Sequence, residues 1–484
     1  MSFDPALPPP YPESAPSSFR LRPTAVIAWG VILLVCVALP VLRARHTTAT
    51  TATQTTQPAA GQSATRPAER GVVDFQTRLL GRYTIGSARL LPGAIEAAKN
   101  AVGEASPTPE GRIAMAITAG ELSGPDAAIE RLQTIDDPDA ATFRAFYEAQ
   151  PRGSPPTTAS RPATSPVVVV DDARLTVAPA TAPVDLAALR PRFGWFAELA
   201  EAHGKPDTDP NRAAVLGAAR QTVYAVLGAF TLIALAGLVG FGLFITAIVL
   251  LALGKLTFSV ERPAGPAHVY VEAFAIYLGG LVLASVVIGL LIKDAGFGTQ
   301  IVGLGGVALL AALWPLLRGV SWPVLQRDWG IHTGRGVVVE ALAGIGGYLA
   351  GLPIMFVSLL ITVGLMRLAQ TDATHPIAQE INIGPVWMLY LVAAVFAPLT
   401  EELLFRGALV SHLRAGMGVV MAAVISGVVF AAVHPQGWVA IPVLGSIGAV
   451  MALVRQWRGS LIASIAAHAL NNGFVITLLV LATR

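Results

Sequence analysis

A single cysteine, Cys36, occurs in the 484 residues. That excludes an intramolecular disulfide and a thiolate metal cluster. Charge is also scarce. Only 13% of residues are charged, roughly half the usual share, while 54% are hydrophobic. Lysine is scarcer still, with four among 33 basic residues. Together with abundant Ala, Gly and Pro, this bias fits a GC-rich genome, and a bacterial source is expected. No basic stripe is present, so the net charge of +3 does not point to nucleic acid as a partner.

The charge deficit is uneven. From Leu216 to Arg484 there are 13 basic and 9 acidic residues, against 20 and 21 in residues 1–215. So few charges cannot cover a water-facing surface, and the second half reads as a polytopic membrane protein. Apolar runs lie at 224–254, 271–292, 301–317, 337–366, 386–413, 417–434, 438–454 and 459–483. A further run, 24–42, is flanked by Arg20 and Arg22 before it and by Arg43 and Arg45 after it. At 1.5 Å per residue it is long enough for a bilayer core of about 30 Å. An uncleaved anchor is the preferred reading. A cleaved signal peptide is the rival, but its apolar core would be shorter.

The expected fold is therefore all-α, a polytopic membrane protein with about nine transmembrane helices and an extramembrane helical domain inserted after the first. Residues 1–23 read as a disordered N-terminus, 24–42 as the anchor and 43–67 as a linker. Residues 68–215 read as the extramembrane domain, interrupted by a Pro/Ser/Thr linker over 151–168. Spans two to four occupy 221–334 and the remaining five lie within 335–484. Helices are expected over 74–91, 93–103, 111–122, 126–150 and 184–203 of the inserted domain. No catalytic constellation appears there. Recruitment of a partner is an expectation resting on location alone.

Loop charges orient the chain. With the N-terminus in the cytoplasm, ten basic residues fall inside: Arg20, Arg22, Lys255, Arg262, Arg318, Arg327, Arg335, Arg414, Arg455 and Arg458. Three fall outside: Lys293, Arg367 and Arg484. This positive-inside bias predicts a cytoplasmic N-terminus and an external 44–220 region, in a multi-pass protein of the bacterial cytoplasmic membrane.

Polar chemistry inside the spans is the informative feature. The sixth span contains Pro398, Glu401, Glu402 and Arg406. A charge at the bilayer centre costs about 3 kcal/mol on insertion scales, so such residues need a partner or a task. Glu402 and Arg406 are i and i+4 and neutralise each other on one face. Glu401 points about 100° away and must face something else. Pro398 cannot donate a backbone hydrogen bond and loosens the helix beside the carboxylates. The candidates for Glu401 are His434, ending the seventh span, and His468, mid-way along the ninth. His468 and Asn472 share a face at i and i+4.

The ordered set Glu401-Glu402-x-x-x-Arg406, Phe430-x-x-x-His434 and His468-x-x-x-Asn472 resembles the three-motif pattern of the CPBP family. These are CAAX prenyl endopeptidases and bacteriocin-processing membrane proteins, grouped with the Ras-converting endopeptidase. The resemblance covers about residues 335–483. It implies an intramembrane endopeptidase acting on a membrane-protein or peptide substrate. In that pattern Glu401 activates the attacking water and His434 positions it or shares its proton. His468 and Asn472 bind the water or stabilise the oxyanion, and Glu402 and Arg406 hold the geometry. Peptide hydrolysis independently demands a general base and an oxyanion donor, and this set offers both.

Alternatives stay open at this level. Glu401, His434 and His468 are candidate ligands for Zn²⁺, the one cofactor the pattern suggests. The spacing is not HExxH, and a metal-free water activated by glutamate is the preferred reading. An intramembrane Glu–His cluster also suits a proton-coupled transporter. A catalytically idle scaffold of the same family is the third reading. Glu272, Glu340 and His412 are expected to be solvated near span ends. Trp314, Trp322, Trp329 and Trp387 are expected in an interfacial belt. The Gly-rich stretches 303–306 and 343–351 are expected at close helix contacts.

Overall fold

The computed structural model describes residues 22–37, 73–101, 106, 108–150, 184–260, 262–291, 297–371 and 385–483. The N-terminal segment before Arg22, the end of the anchor beyond Val37 and both linkers lie outside the described residues. All regular structure among the described residues is helical.

The helices are α1 (Pro23–Val37), α2 (Phe75–Leu90), α3 (Ile95–Ala101), α4 (Pro109–Ser123), α5 (Pro125–Leu132), α6 (Pro138–Glu148), α7 (Arg190–Phe193), α8 (Trp195–Glu201) and α9 (Pro210–Ala252). They continue with α10 (Ala267–Leu291), α11 (Phe297–Leu317), α12 (Trp322–Trp329), α13 (Val337–Ala369), α14 (Val386–Arg414), α15 (Val419–Val433), α16 (Ile441–Arg458) and α17 (Leu461–Thr483). Six helices are long and apolar enough to cross a membrane: α9, α10, α13, α14, α16 with its preceding turn, and α17. The other three apolar runs appear as shorter helices at Pro23–Val37, Gly305–Leu317 and Val419–Val433.

The described residues fall into two compact units. One comprises α2 to α8 and the first part of α9. Local chemistry sets its helix starts. Asp74 accepts from Thr77 N at 2.9 Å to cap α2, and Thr108 accepts from Gly111 N at 3.1 Å to cap α4. Such caps are worth about 1 kcal/mol each. The stretch expected as one helix over 126–150 is two, because Asp137 caps a new start at Pro138. Gly194, at φ +49°, breaks the expected 184–203 helix into α7 and α8. The core joins Ile113 and Ile117 of α4 to Phe143, Phe193 and Phe196. Val215, Leu216 and Ala219 of α9 pack into it too, so α9 begins in this unit, well before the apolar run at 224.

The second unit holds α1, α9 from Leu235 and the helices from α10 to Ile476 of α17. Its small residues lie where helices touch, as the sequence led us to expect. A Cβ on Gly344 would strike the backbone of Ala463, one on Gly351 would strike Val450, and one on Gly427 would strike the Gly445 carbonyl. Helix α1 is part of this packing. Ala25, Ala28 and Ile32 are buried in one cluster with Tyr270 and Phe274 of α10 and Phe405 of α14. The Trp29 indole N–H donates to His412 Nε2 at 3.1 Å. The other ring nitrogen, Nδ1, then carries the proton and donates to the Ala267 carbonyl at 2.8 Å.

Several residues expected at solvated span ends are buried instead. Glu272 accepts from Trp314 Nε1 and Arg318 Nε, at 3.0 and 3.1 Å. Glu340 forms a two-pronged pair with Arg458, at 2.7 and 2.8 Å. His412 is buried, and both its nitrogens are used. Trp329 is fully buried rather than interfacial, whereas Trp322 and Trp387 are exposed. The common cause is that neighbouring helices and their ends supply the partners. Asp328 shows this well, accepting from Ala264 N, Gly265 N and Tyr270 Oη, while its carbonyl accepts from Ser411 Oγ on α14.

Candidate active site

Helix α14 carries both glutamates, and it is not a regular α-helix. Two π-helical turns, Leu391–Phe396 and Leu403–Leu409, flank an α-helical segment, Ala397–Glu402. Such wide turns concentrate at functional sites because they displace carbonyls and re-aim side chains. Pro398 accounts for part of the first. The Ala397 N–H reaches back five residues to the Val392 carbonyl. The next carbonyl, Ala393, would take its donor from residue 398, and proline has none.

Glu402 and Arg406 are both 0% exposed and form an ion pair, Oε1 to Nη1, at 2.9 Å. Arg406 also donates from Nη2 to the Gly448 carbonyl at 2.9 Å, and its guanidinium lies 4.8 Å from the ring centre of Phe430. Removing one member of such a pair leaves an uncompensated buried charge, at a cost of about 3–5 kcal/mol. The pairing read from the i, i+4 spacing is therefore present, but it is not exclusive. His468 Nδ1 also contacts Glu402 Oε1, at 2.9 Å.

This second contact aims the histidine. With Nδ1 engaged by Glu402, the opposite nitrogen, Nε2, faces Glu401 Oε2 at 3.9 Å. Glu401 is the more open of the two carboxylates, with 22% of its side chain exposed. Its Oε2 has no hydrogen-bond partner among the described residues. Glu402 is thus held through Oε1 by two partners, although its Oε2 also lacks a hydrogen bond among the described residues, and Glu401 is the more accessible carboxylate.

His434 leaves the end of α15, where the chain turns extended at ψ 146°. Its Nδ1 lies 2.6 Å from the Phe430 carbonyl. A carbonyl only accepts, so the proton is on Nδ1 and Nε2 is the free acceptor. The His434 ring packs on Phe430 at 4.2 Å between centres, and the same phenyl ring meets His468 edge-on at 5.8 Å. Phe430 therefore touches His434, His468 and Arg406 and sets their spacing. The sequence offered it as a motif letter but gave no sign that it is the hub. Glu401, His468 and Arg406 are the electrostatic neighbours of His434.

Asn472, expected with His468 to bind the water or stabilise the oxyanion, reaches α14 at a backbone carbonyl. Its Nδ2 donates to the Ala393 carbonyl at 2.7 Å. Going forward four residues from His468 to Asn472 on α17 means going back eight or nine on α14, so the two helices run antiparallel. Asn471 and Tyr348, which sequence reasoning missed, continue this contact away from the site.

Residues 383–474 match the family model of the Rce1-like type II CAAX prenyl endopeptidases. The resemblance drawn from the motifs holds for this segment. It starts just before α14, ends within α17 and contains all six motif residues, although it spans a minority of the chain. No match to the chain was found among curated proteins or among solved structures. Helices α1 to α13 lie outside the CAAX-protease-like segment, yet α1, α10 and α13 pack against it.

The fit to a metal can be tested on the donors of this CAAX-protease-like site. Glu401, His434 and His468 present one carboxylate oxygen and two Nε2 atoms. Among the described residues, however, no three His, Cys, Asp or Glu side chains converge closely enough to hold a metal ion. As they stand, the three donors do not meet around one point where an ion would sit.

Proposed function

We propose that this protein is an intramembrane endopeptidase that hydrolyses a peptide bond of a membrane-associated protein or peptide. The observation that carries the reading is the asymmetry of the two glutamates. Glu402 is fully buried and held through Oε1 by Arg406 and His468, while Glu401 is 22% exposed, pairs with no arginine among the described residues and lies 3.9 Å from His468 Nε2. In the reaction a water enters between the Glu401 carboxylate and His468 Nε2 and bridges them. Glu401 takes its proton as general base, and the hydroxide attacks the scissile carbonyl. His434, with Nε2 free, orients the water. The Asn472 N–H not used by Ala393 donates to the tetrahedral oxyanion. Glu401 then returns the proton to the leaving amine, the C–N bond breaks, and the products are a carboxylate and an amine.

The membrane arrangement belongs to the same reading. All nine apolar helices cross or enter the bilayer, the N-terminus is cytoplasmic and the 44–220 region is external. This follows the ten-to-three bias of loop charges. Helix α1 is retained as an anchor, because its buried face and the Trp29–His412 bond make it part of the bundle. A bacterial cytoplasmic membrane is the setting proposed. The substrate is then a membrane protein or exported peptide rather than a prenylated tail. The external helical unit recruits it, and unchanged substrate selection after deletion of residues 68–203 would end that idea.

Cleavage of a CAAX-type lipid-modified reporter and of a membrane-peptide library by purified protein in detergent tests the activity. Cleavage by the wild type that persists in chelator and vanishes in Glu401→Ala and His434→Ala is the expected result. Loss in chelator with rescue by zinc would convert Glu401, His434 and His468 into ligands. No cleavage by folded wild type would leave a scaffold, and proton-coupled uptake in vesicles would instead make it a transporter.

A further inference from the structure

The Ala393 carbonyl is the end of a continuous side-chain relay. Tyr348 Oη on α13 donates to Asn471 Oδ1 at 2.8 Å. Asn471 Nδ2 donates to Asn472 Oδ1 at 3.0 Å. Asn472 Nδ2 donates to Ala393 O at 2.7 Å. The relay has a direction. The Ala393 carbonyl can only accept, so Asn472 turns its nitrogen toward α14 and its oxygen toward the Asn471 nitrogen, which leaves the Asn471 oxygen for the Tyr348 hydroxyl. The last link lands on the carbonyl whose helical donor is missing at Pro398, three residues before Glu401. The carbonyl is only part-buried, and having lost its helical donor it takes the Asn472 amide in its place.

We infer that Tyr348 and Asn471 are positioning residues for the hydrolytic site, acting through Asn472. They hold the Asn472 amide by its oxygen, which fixes the plane of the amide and with it where its second N–H points. They also brace the π-turn that carries the segment up to Glu401. Tyr348 lies outside the 383–474 segment, so part of the machinery is supplied by a helix that the family match does not cover. The inference rests on the proposed peptidase reading for its kinetic readout, while the relay itself can be read without turnover.

The experiment uses the full-length protein in detergent with two measurements. The first is kinetics of wild type, Tyr348→Phe, Asn472→Ala and the double variant on the substrate cleaved by the wild type. Tyr348→Phe removes one hydroxyl and is expected to lower kcat about five- to tenfold, with KM unchanged and only the small fall in thermal midpoint that one lost hydrogen bond brings. In the Asn472→Ala background it is expected to add nothing, because the relay has already lost its last member. The second is nitrogen NMR of protein labelled at asparagine, with Asn471 and Asn472 assigned by substitution. Tyr348→Phe is expected to move the side-chain amide signals of both residues. Unchanged kcat in an active protein, independent losses in the double variant, or an Asn472 signal that stays in place would each overturn the relay. If the wild type cleaves nothing, the peptidase reading falls while the NMR result still decides the relay. If Tyr348→Phe fails to fold, Asn471→Ala replaces it in both measurements, with the same expectations for kcat and for the Asn472 signal.

Discussion

Two buried glutamates, one in each unit, are held by the same kinds of partner. In the helical unit, Glu121 accepts from Arg89 and Arg212 and contacts His203. In the membrane bundle, Glu402 pairs with Arg406 and His468. The chemical kit is nearly identical, yet only one cluster has the parts of a hydrolytic site. Around Glu121 both oxygens are engaged, at 2.7 to 3.3 Å, and the cluster closes on itself. Around Glu402 a neighbouring carboxylate remains, facing the far nitrogen of the same histidine. An Arg–Glu–His cluster is a way to bury charge. The leftover base is what turns it into a candidate for chemistry.

That contrast can be broken experimentally, starting with the largest effect. Glu401→Gln keeps the shape and removes the base, and is expected to cut turnover by about a thousandfold with no loss of thermal stability. Glu402→Gln strands the Arg406 charge and is expected to destabilise the bundle by about 3–5 kcal/mol, measured by thermal or denaturant unfolding. Glu121→Gln is expected to destabilise the helical unit comparably while leaving kcat on a short peptide substrate intact. A large drop in that kcat would mean that the two clusters are not as separate as the comparison holds.

Acid sharpens the same comparison. Burial pushes the Glu121 carboxyl up, but His203 and Arg212 outweigh it and hold the group at about 2. A depressed carboxylate stabilises the fold above its unfolded value and loses that contribution as pH falls through the folded one. The stabilisation from Glu121 is therefore complete above about pH 4.5 and gone near pH 2. Circular dichroism of the full chain against pH should show a helical loss in that window. Glu121→Gln should flatten it. The smallest effect is expected at α1. Trp29→Phe deletes one hydrogen bond to His412 and should lower stability by about 1 kcal/mol.

Local signals read well in the sequence. The i, i+4 spacing anticipated the Glu402–Arg406 pair, and the small residues at 343–351 lie at tight helix contacts. Pro398 marked a disturbed helix, which appears as the π-turn before the glutamates. What stayed hidden depends on long-range packing. Phe430 as the hub of two histidines and an arginine, and Tyr348 as the start of the relay, require helices far apart in sequence to meet. Periodicity reports one face of one helix and is silent on its partner. The burial of Glu272, Glu340 and His412 was missed for the same reason. Position near a span end suggests water, but here neighbouring helices and their ends supply arginine, tryptophan or a carbonyl.

The most direct test of the leftover-base account is to measure cleavage and thermal midpoint together for wild type and Glu401→Gln. The account predicts a variant that melts with the wild type and does not turn over. A variant that still cleaves at a rate close to the wild type would contradict it, since the other carboxylate of the CAAX-protease-like segment, Glu402, is fully buried and paired with Arg406.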